Sequence, residues 1–146
     1  MTLGSIGRKV NTVPKVMVIG ANETSSHNLV SLLKEAGFEI TTIYDGTRLT
    51  EFTQSLPSVV IIEEKAGKGG WELGVQIRQK SNVPIIFLGN GNSEVAWVKA
   101  AAYGIDFYMG WPFSSRELVA RIKALVRRYE GSLREIMDAS PGAAEG

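Results

Sequence analysis

The stretch Ser58-Val59-Val60-Ile61-Ile62-Glu63-Glu64 decides the fold. Its four consecutive β-branched apolar residues leave no polar face. Such a run reads as a strand buried on both sides, the pattern of a central strand in a parallel sheet covered by helices. Glu63 then falls at the carboxyl edge of that sheet, where open α/β folds place their ligand sites.

Outward from this strand, Lys15 to Ile19, Phe38 to Ile43, Val83 to Leu88 and Ile105 to Met109 read as further strands. Helical spacing fills the gaps between them. Leu29, Val30, Leu32, Leu33 and Ala36 mark a first helix, with Asn22, Thr24 or Ser25 as its cap and Gly37 as its stop. A weaker helix spans about Thr47 to Gln54. Leu73, Val75 and Ile77 mark a third, and Ser93 to Tyr103 a fourth. Leu118, Ile122, Leu125 and Val126 are the buried stripe of the last, capped at Ser114-Ser115. Strands alternating with helices in this way give an α/β fold, a (βα)5 doubly wound parallel five-stranded sheet. Gly131 is expected to interrupt the last helix, and Ser132-Leu133-Arg134-Glu135 has the form of a capping box that starts a short helix with Ile136 and Met137. The expected organisation is a tail over residues 1–13, one domain over 14–130 and a linker over 131–146.

The totals narrow the function classes. A chain of 146 residues with formal net charge +1 holds one domain and offers no general attraction for nucleic acid or anionic surfaces. The absence of cysteine excludes disulfides and thiolate metal sites, and no apolar run reaches membrane-spanning length. A cytoplasmic location is the default expectation. His27 is the single histidine and reads as a surface or capping residue. Neither a GxGxxG nor a Walker lysine motif supports the glycines as a nucleotide site, and no catalytic set is visible.

The runs PKVMVIG (14–20), LLKEAGFEITTIYDG (32–46), VPIIFL (83–88) and GIDFYMGWPFSSRELVARIKALVRR (104–128) carry a resemblance to the receiver domains of bacterial response regulators. The chain is most similar to CheY-like receivers of the OmpR/PhoB type, which precede winged-helix transcription domains. The resemblance implies a flavodoxin-like sheet of order 2-1-3-4-5 with its site at the carboxyl ends of the strands. It also implies phosphoryl transfer to an aspartate, with an acidic pair holding Mg²⁺, a hydroxyl after the fourth strand and a lysine before a proline after the fifth. Those positions are here Gly20 and Ala21, Glu63, Gly89, and Trp111 before Pro112. Glycine and alanine bring no side-chain oxygen to a metal, Gly89 has no hydroxyl and Trp111 no charge. Mg²⁺-dependent phosphorylation is therefore not expected, nor any cofactor or metal. Glu63 reads either as a built-in stand-in for the phosphorylated aspartate or as a solvated acid, with Lys65, Lys68 and Asn22 nearby. Trp111 reads as a lid over the vacated pocket or as an exposed aromatic, and the Trp111–Pro112 bond is expected to be cis.

The resemblance further implies a dimer face on the fourth helix, fifth strand and fifth helix. Glu117, Arg121 and Arg128 keep its charged side, Trp97, Tyr103 and Phe107 replace the opposing charges, and Tyr108 holds the aromatic switch position. With Val95, Val98 and Ala102 taken as the buried stripe, Trp97 points to a partner surface. The alternative is a solvated helix face bearing Arg121, Lys123, Arg127 and Arg128, with the aromatics packed within the chain. The leading expectation is a phosphorylation-independent receiver-like module, not an enzyme. It forms a homodimer, joins a DNA-binding output domain in the longer protein and binds no nucleic acid as this fragment. The alternative is a small-ligand sensor using the pocket beside Gly20, Gly89 and Trp111.

Overall fold

The computed structural model describes residues 13–44, 50–64, 69–91 and 93–138. Five parallel strands form one sheet in the order β2-β1-β3-β4-β5. They are β1 (Lys15–Ile19), β2 (Glu39–Ile43), β3 (Val59–Glu63), β4 (Ile85–Gly89) and β5 (Phe107–Gly110). The connecting helices are α1 (Glu23–Glu35), α2 (Thr50–Ser55), α3 (Gly70–Lys80), α4 (Glu94–Ala102) and α5 (Ser115–Asp138). The start of the second expected helix, Thr47 to Leu49, lies outside the described residues. No described helix is long and apolar enough to cross a membrane.

The apolar runs of β1, β3 and β4 serve two cores at once. Val16, Val18, Val59, Ile61, Ile86 and Leu88 face α1 and α5, meeting Leu29, Leu33, Leu118 and Ile122. The alternate residues Met17, Ile19, Val60, Ile62, Ile85 and Phe87 face the other layer, meeting Phe52, Leu73, Ile77 and Ala100. Every residue of β3 is buried, Glu63 included. The period of two along each strand is what lets one run fill both layers.

The α3 end of the sheet is tied by Arg78. Its guanidinium donates to the carbonyls of Gly104, Ser81 and Val83 and pairs with Asp106 at 2.6 Å. Asp106 Oδ2 also accepts from the Ile85 amide at 2.8 Å, so one side chain pair joins α3, β4 and the approach to β5.

Two expectations are corrected. Helix α5 runs 24 residues without a break, so Gly131 does not interrupt it and Ser132 starts no separate helix. One glycine costs about 1 kcal/mol in a helix interior, which an already nucleated helix absorbs. The stripe of α4 is also turned. Val95 and Val98 are 77% and 68% exposed, and Ala102 is exposed as well. Ala96 and Ala100 face the core instead, because small side chains let the helix approach β4 and β5 closely.

Candidate functional site

The register sets Ile19 beside Ile62, Glu63 beside Leu88 and Gly89 beside Gly110. The residues that end these strands, Gly20, Glu63, Gly89 and Trp111, therefore gather along the carboxyl edge of the sheet, as the sequence implies. What lies between them differs from the expectation.

Glu63 is 1% exposed and is no solvated acid. Its Oε1 accepts a 2.5 Å hydrogen bond from the hydroxyl of Ser26, itself fully buried. Ser26 belongs to the inward stripe of α1 with Leu29 and Leu33. Gly20 makes the room for this pair. A Cβ at position 20 would lie 2.6 Å from Glu63 Oε1 and closer still to Ser26 Oγ. Asn22 does not reach Glu63; its side chain accepts from the Ser25 amide at 2.9 Å and caps α1. Lys65 and Lys68 lie outside the described residues. Among the described residues the one ion pair is Arg78–Asp106, so none of their cations neutralises Glu63.

The space a side chain at Gly89 would take belongs to Tyr108. A Cβ there would overlap its phenol oxygen and lie 2.5 Å from Cζ. Tyr108 is 2% exposed and donates from its hydroxyl to the carbonyl of Gly91 at 2.6 Å. Its ring runs nearly parallel to Phe87 and Trp71, with centroids 6.2 and 6.3 Å away, and Trp71 stacks directly on Phe87 at 3.9 Å. Burial first, then the Glu64 carboxylate, push the Tyr108 phenol above its ordinary value, against the lowering effect of the Gly91 hydrogen bond. The folded chain thus holds this proton more tightly than the unfolded one. That stability is complete below the unfolded value of about 10 and is lost as pH rises through the higher folded value. Urea midpoints followed through that alkaline window are expected to fall more steeply for the wild type than for Tyr108→Phe; parallel curves would contradict the assignment.

Trp111 is 43% exposed and leans on Phe113, with centroids 4.3 Å apart; the space beside Gly89 is filled by Tyr108 and not by Trp111. Its bond to Pro112 is cis, as expected. Ala21 is half-buried and Pro112 exposed. This set does not fit the Mg²⁺ that the resemblance implies. Gly20 and Ala21 offer no side-chain oxygen, and Oε1 of Glu63 is engaged by Ser26.

On the neighbouring face Trp97 is 43% exposed and meets Phe107 edge-on at 5.4 Å and Tyr108 at 5.9 Å. The Arg121 guanidinium lies 4.1 Å above the Phe107 ring, and Glu117 lines a recess of about 140 Å³ with Trp97 and Phe107. Tyr103 is not part of this cluster. It packs edge-on against Trp71 at 5.6 Å, on the far side of α4. Arg128 stands apart too, beside Pro84, Asp106 and Tyr129. Sequence reasoning missed Ser26, Trp71 and Lys99, whose ammonium sits 4.6 Å over the Trp71 ring. The signal for Ser26 is present, since a serine occupies the inward stripe of α1; nothing local marks the other two.

No protein-family model matches the chain. It is 36% identical over 115 residues to the sensory transduction protein RegX3 of Mycolicibacterium smegmatis, an alignment covering 77% of this chain and 50% of that protein. RegX3 of Mycobacterium tuberculosis is 35% identical over 77% of this chain and 51% of its own. The chain thus spans about half the length of the curated relatives it matches. Among solved structures, the receiver domain of the Francisella response regulator 1452 superposes with a TM-score of 0.72 at 27% identity, covering 79% of this chain and 98% of that one. The sheet order, the carboxyl-edge site and these homologues agree: the chain belongs with the CheY-like receiver domains of response regulators.

Proposed function

We propose that this domain is a phosphorylation-independent signalling and dimerisation module of a bacterial, cytoplasmic transcriptional regulator, acting through the α4–β5–α5 face. The observation that carries the reading is Tyr108. At the family's switch position it lies inward, in space that Gly89 leaves open, and its hydroxyl is held there by the Gly91 carbonyl. Trp97 packs on Tyr108 and Phe107, so the state of the switch and the shape of the face are one packing problem. Trp97, Phe107, Glu117 and Arg121 form the centre of the contact; Tyr103 and Arg128 lie outside it. The longer relatives leave room for an output domain, which in this reading binds DNA. The domain itself acts as a switchless scaffold and not as an enzyme.

Light scattering across a concentration series tests this. The wild type is expected to dimerise with no phosphodonor present and to gain no mass on incubation with acetyl phosphate. Trp97→Ala is expected to dimerise roughly 30-fold more weakly, the loss of about 2 kcal/mol that a central interface tryptophan carries. A wild type monomeric at every concentration, or one that takes up a phosphoryl group, overturns the reading.

Small-ligand sensing stays as a second reading because of one cavity. The pocket expected beside Gly20 and Gly89 is filled, but about 340 Å³ lies next to it, lined by Glu64, Trp71, Asn90, Ser93, Lys99 and Tyr108. A thermal-shift screen that raises the midpoint of the wild type and not of Trp71→Ala would favour it.

A further inference from the structure

Helix α5 is longer than the body it packs on. Its 24 residues span about 36 Å, against about 17 Å for five-residue strands. Leu118, Ile122, Leu125 and Val126 are buried on the sheet, and Tyr129 is half-buried. Beyond it Leu133, Ile136 and Met137 are 42%, 64% and 69% exposed. These residues continue a regular pattern. Val119, Ile122, Val126, Tyr129, Leu133 and Ile136 follow one another at alternating spacings of three and four, the heptad seam of paired helices.

The flanks of the seam fit pairing with another such helix. Leu125 and Ser132 border it on one side, Glu130 and Met137 on the other, and Arg127, Arg128, Arg134, Glu135 and Asp138 all fall on the outer face. No two like charges meet across a two-fold pair. At the root of the projecting segment Leu133 lines a groove of about 430 Å³ with Phe52, Leu56 and Tyr129. Leu56 is 75% exposed and held at φ 50, a conformation uncommon for a branched residue. The apolar surface therefore continues from the helix onto the body. A projecting helix of this length, containing Gly131, is marginal alone, and a packed partner stabilises it.

We propose that the projecting half of α5 pairs in parallel with the same helix of a second copy, through Leu133, Ile136 and Met137. A second copy fits because the seam is self-complementary under a two-fold axis. Parallel pairing fits because the upstream part of the seam is already covered by the sheet, so an antiparallel partner would run into the body. The contact falls short of the roughly 1,200 Å² of a standard interface, so it is weak and best trapped covalently. It does not depend on the α4–β5–α5 reading.

The chain contains no cysteine, so a single introduced thiol reports alone. The 146-residue chain carrying Ile136→Cys is expected to oxidise to a covalent dimer at least about tenfold faster than the same chain carrying Arg134→Cys, whose thiol lies on the outer face. Both positions are exposed, and matching far-UV spectra show that both variants fold. Equal rates for the two, or an Ile136→Cys chain that stays monomeric, overturn the proposal. The cross-link is expected to persist in a Trp97→Ala background; its loss there overturns the seam as a contact in its own right.

Discussion

Gly89→Thr, which introduces the hydroxyl that the resemblance implies at this position, is expected to destabilise the domain by about 2–3 kcal/mol, as overpacking of a filled core does. The new Cβ falls on the Tyr108 phenol, so Tyr108 must leave a site where it is 2% exposed and bonded to Gly91. Its departure also breaks the stack with Phe87 and Trp71. Tyr108→Ala alone is expected to cost about 3–4 kcal/mol through the cavity it leaves. The two changes together should cost less than their sum by at least about 1 kcal/mol, since the threonine then enters vacated space. Urea unfolding of the four-member cycle measures this directly. Additive costs would mean that the two residues do not compete for one volume.

Gly20→Asp has the larger expected effect, about 3–5 kcal/mol, the range for an uncompensated charge in a buried site. Two causes act together. The Cβ meets Ser26 Oγ and Glu63 Oε1, which are already hydrogen-bonded to each other. The added carboxylate then stands beside a second one that is 1% exposed and has no cation partner among the described residues. Gly20→Ala carries the first cause without the second and is expected to cost about 1–3 kcal/mol, the overpacking cost alone. Chemical denaturation of both variants separates steric from electrostatic loss. A Gly20→Asp chain within 1 kcal/mol of the wild type would mean that α1 and β3 move apart freely.

Much of this molecule is legible in its sequence. The runs at β1, β3 and β4 announce themselves because residues buried on both faces leave no room for polar alternation. The positions Gly20, Glu63, Gly89 and Trp111 follow from where those runs end. What fills the space between those positions is not legible, because it depends on side chains arriving from elsewhere. Ser26 comes from α1 and Tyr108 from β5, and neither is adjacent in sequence to the residue whose space it enters. The α4 error has a similar origin. Hydropathy favours Val95 and Val98 as the inward face, but close packing on β5 selects Ala96 and Ala100 by size. Gly131 misleads in the opposite direction: a local rule for helix ends is overridden by a helix already nucleated on the sheet.

The two filled glycine positions also bear on how freely this edge of the sheet can change. At positions 20 and 89 a new side chain lands on an occupied volume, and the occupants are held by their own hydrogen bonds. Position 89 accepts a side chain only after position 108 has yielded, and position 20 only after Ser26 and Glu63 have separated. A side chain introduced first at either glycine therefore gives a destabilised chain. The packing around Ser26 and Tyr108 works as a ratchet: it holds both glycine positions as glycines by filling the volume a side chain would need.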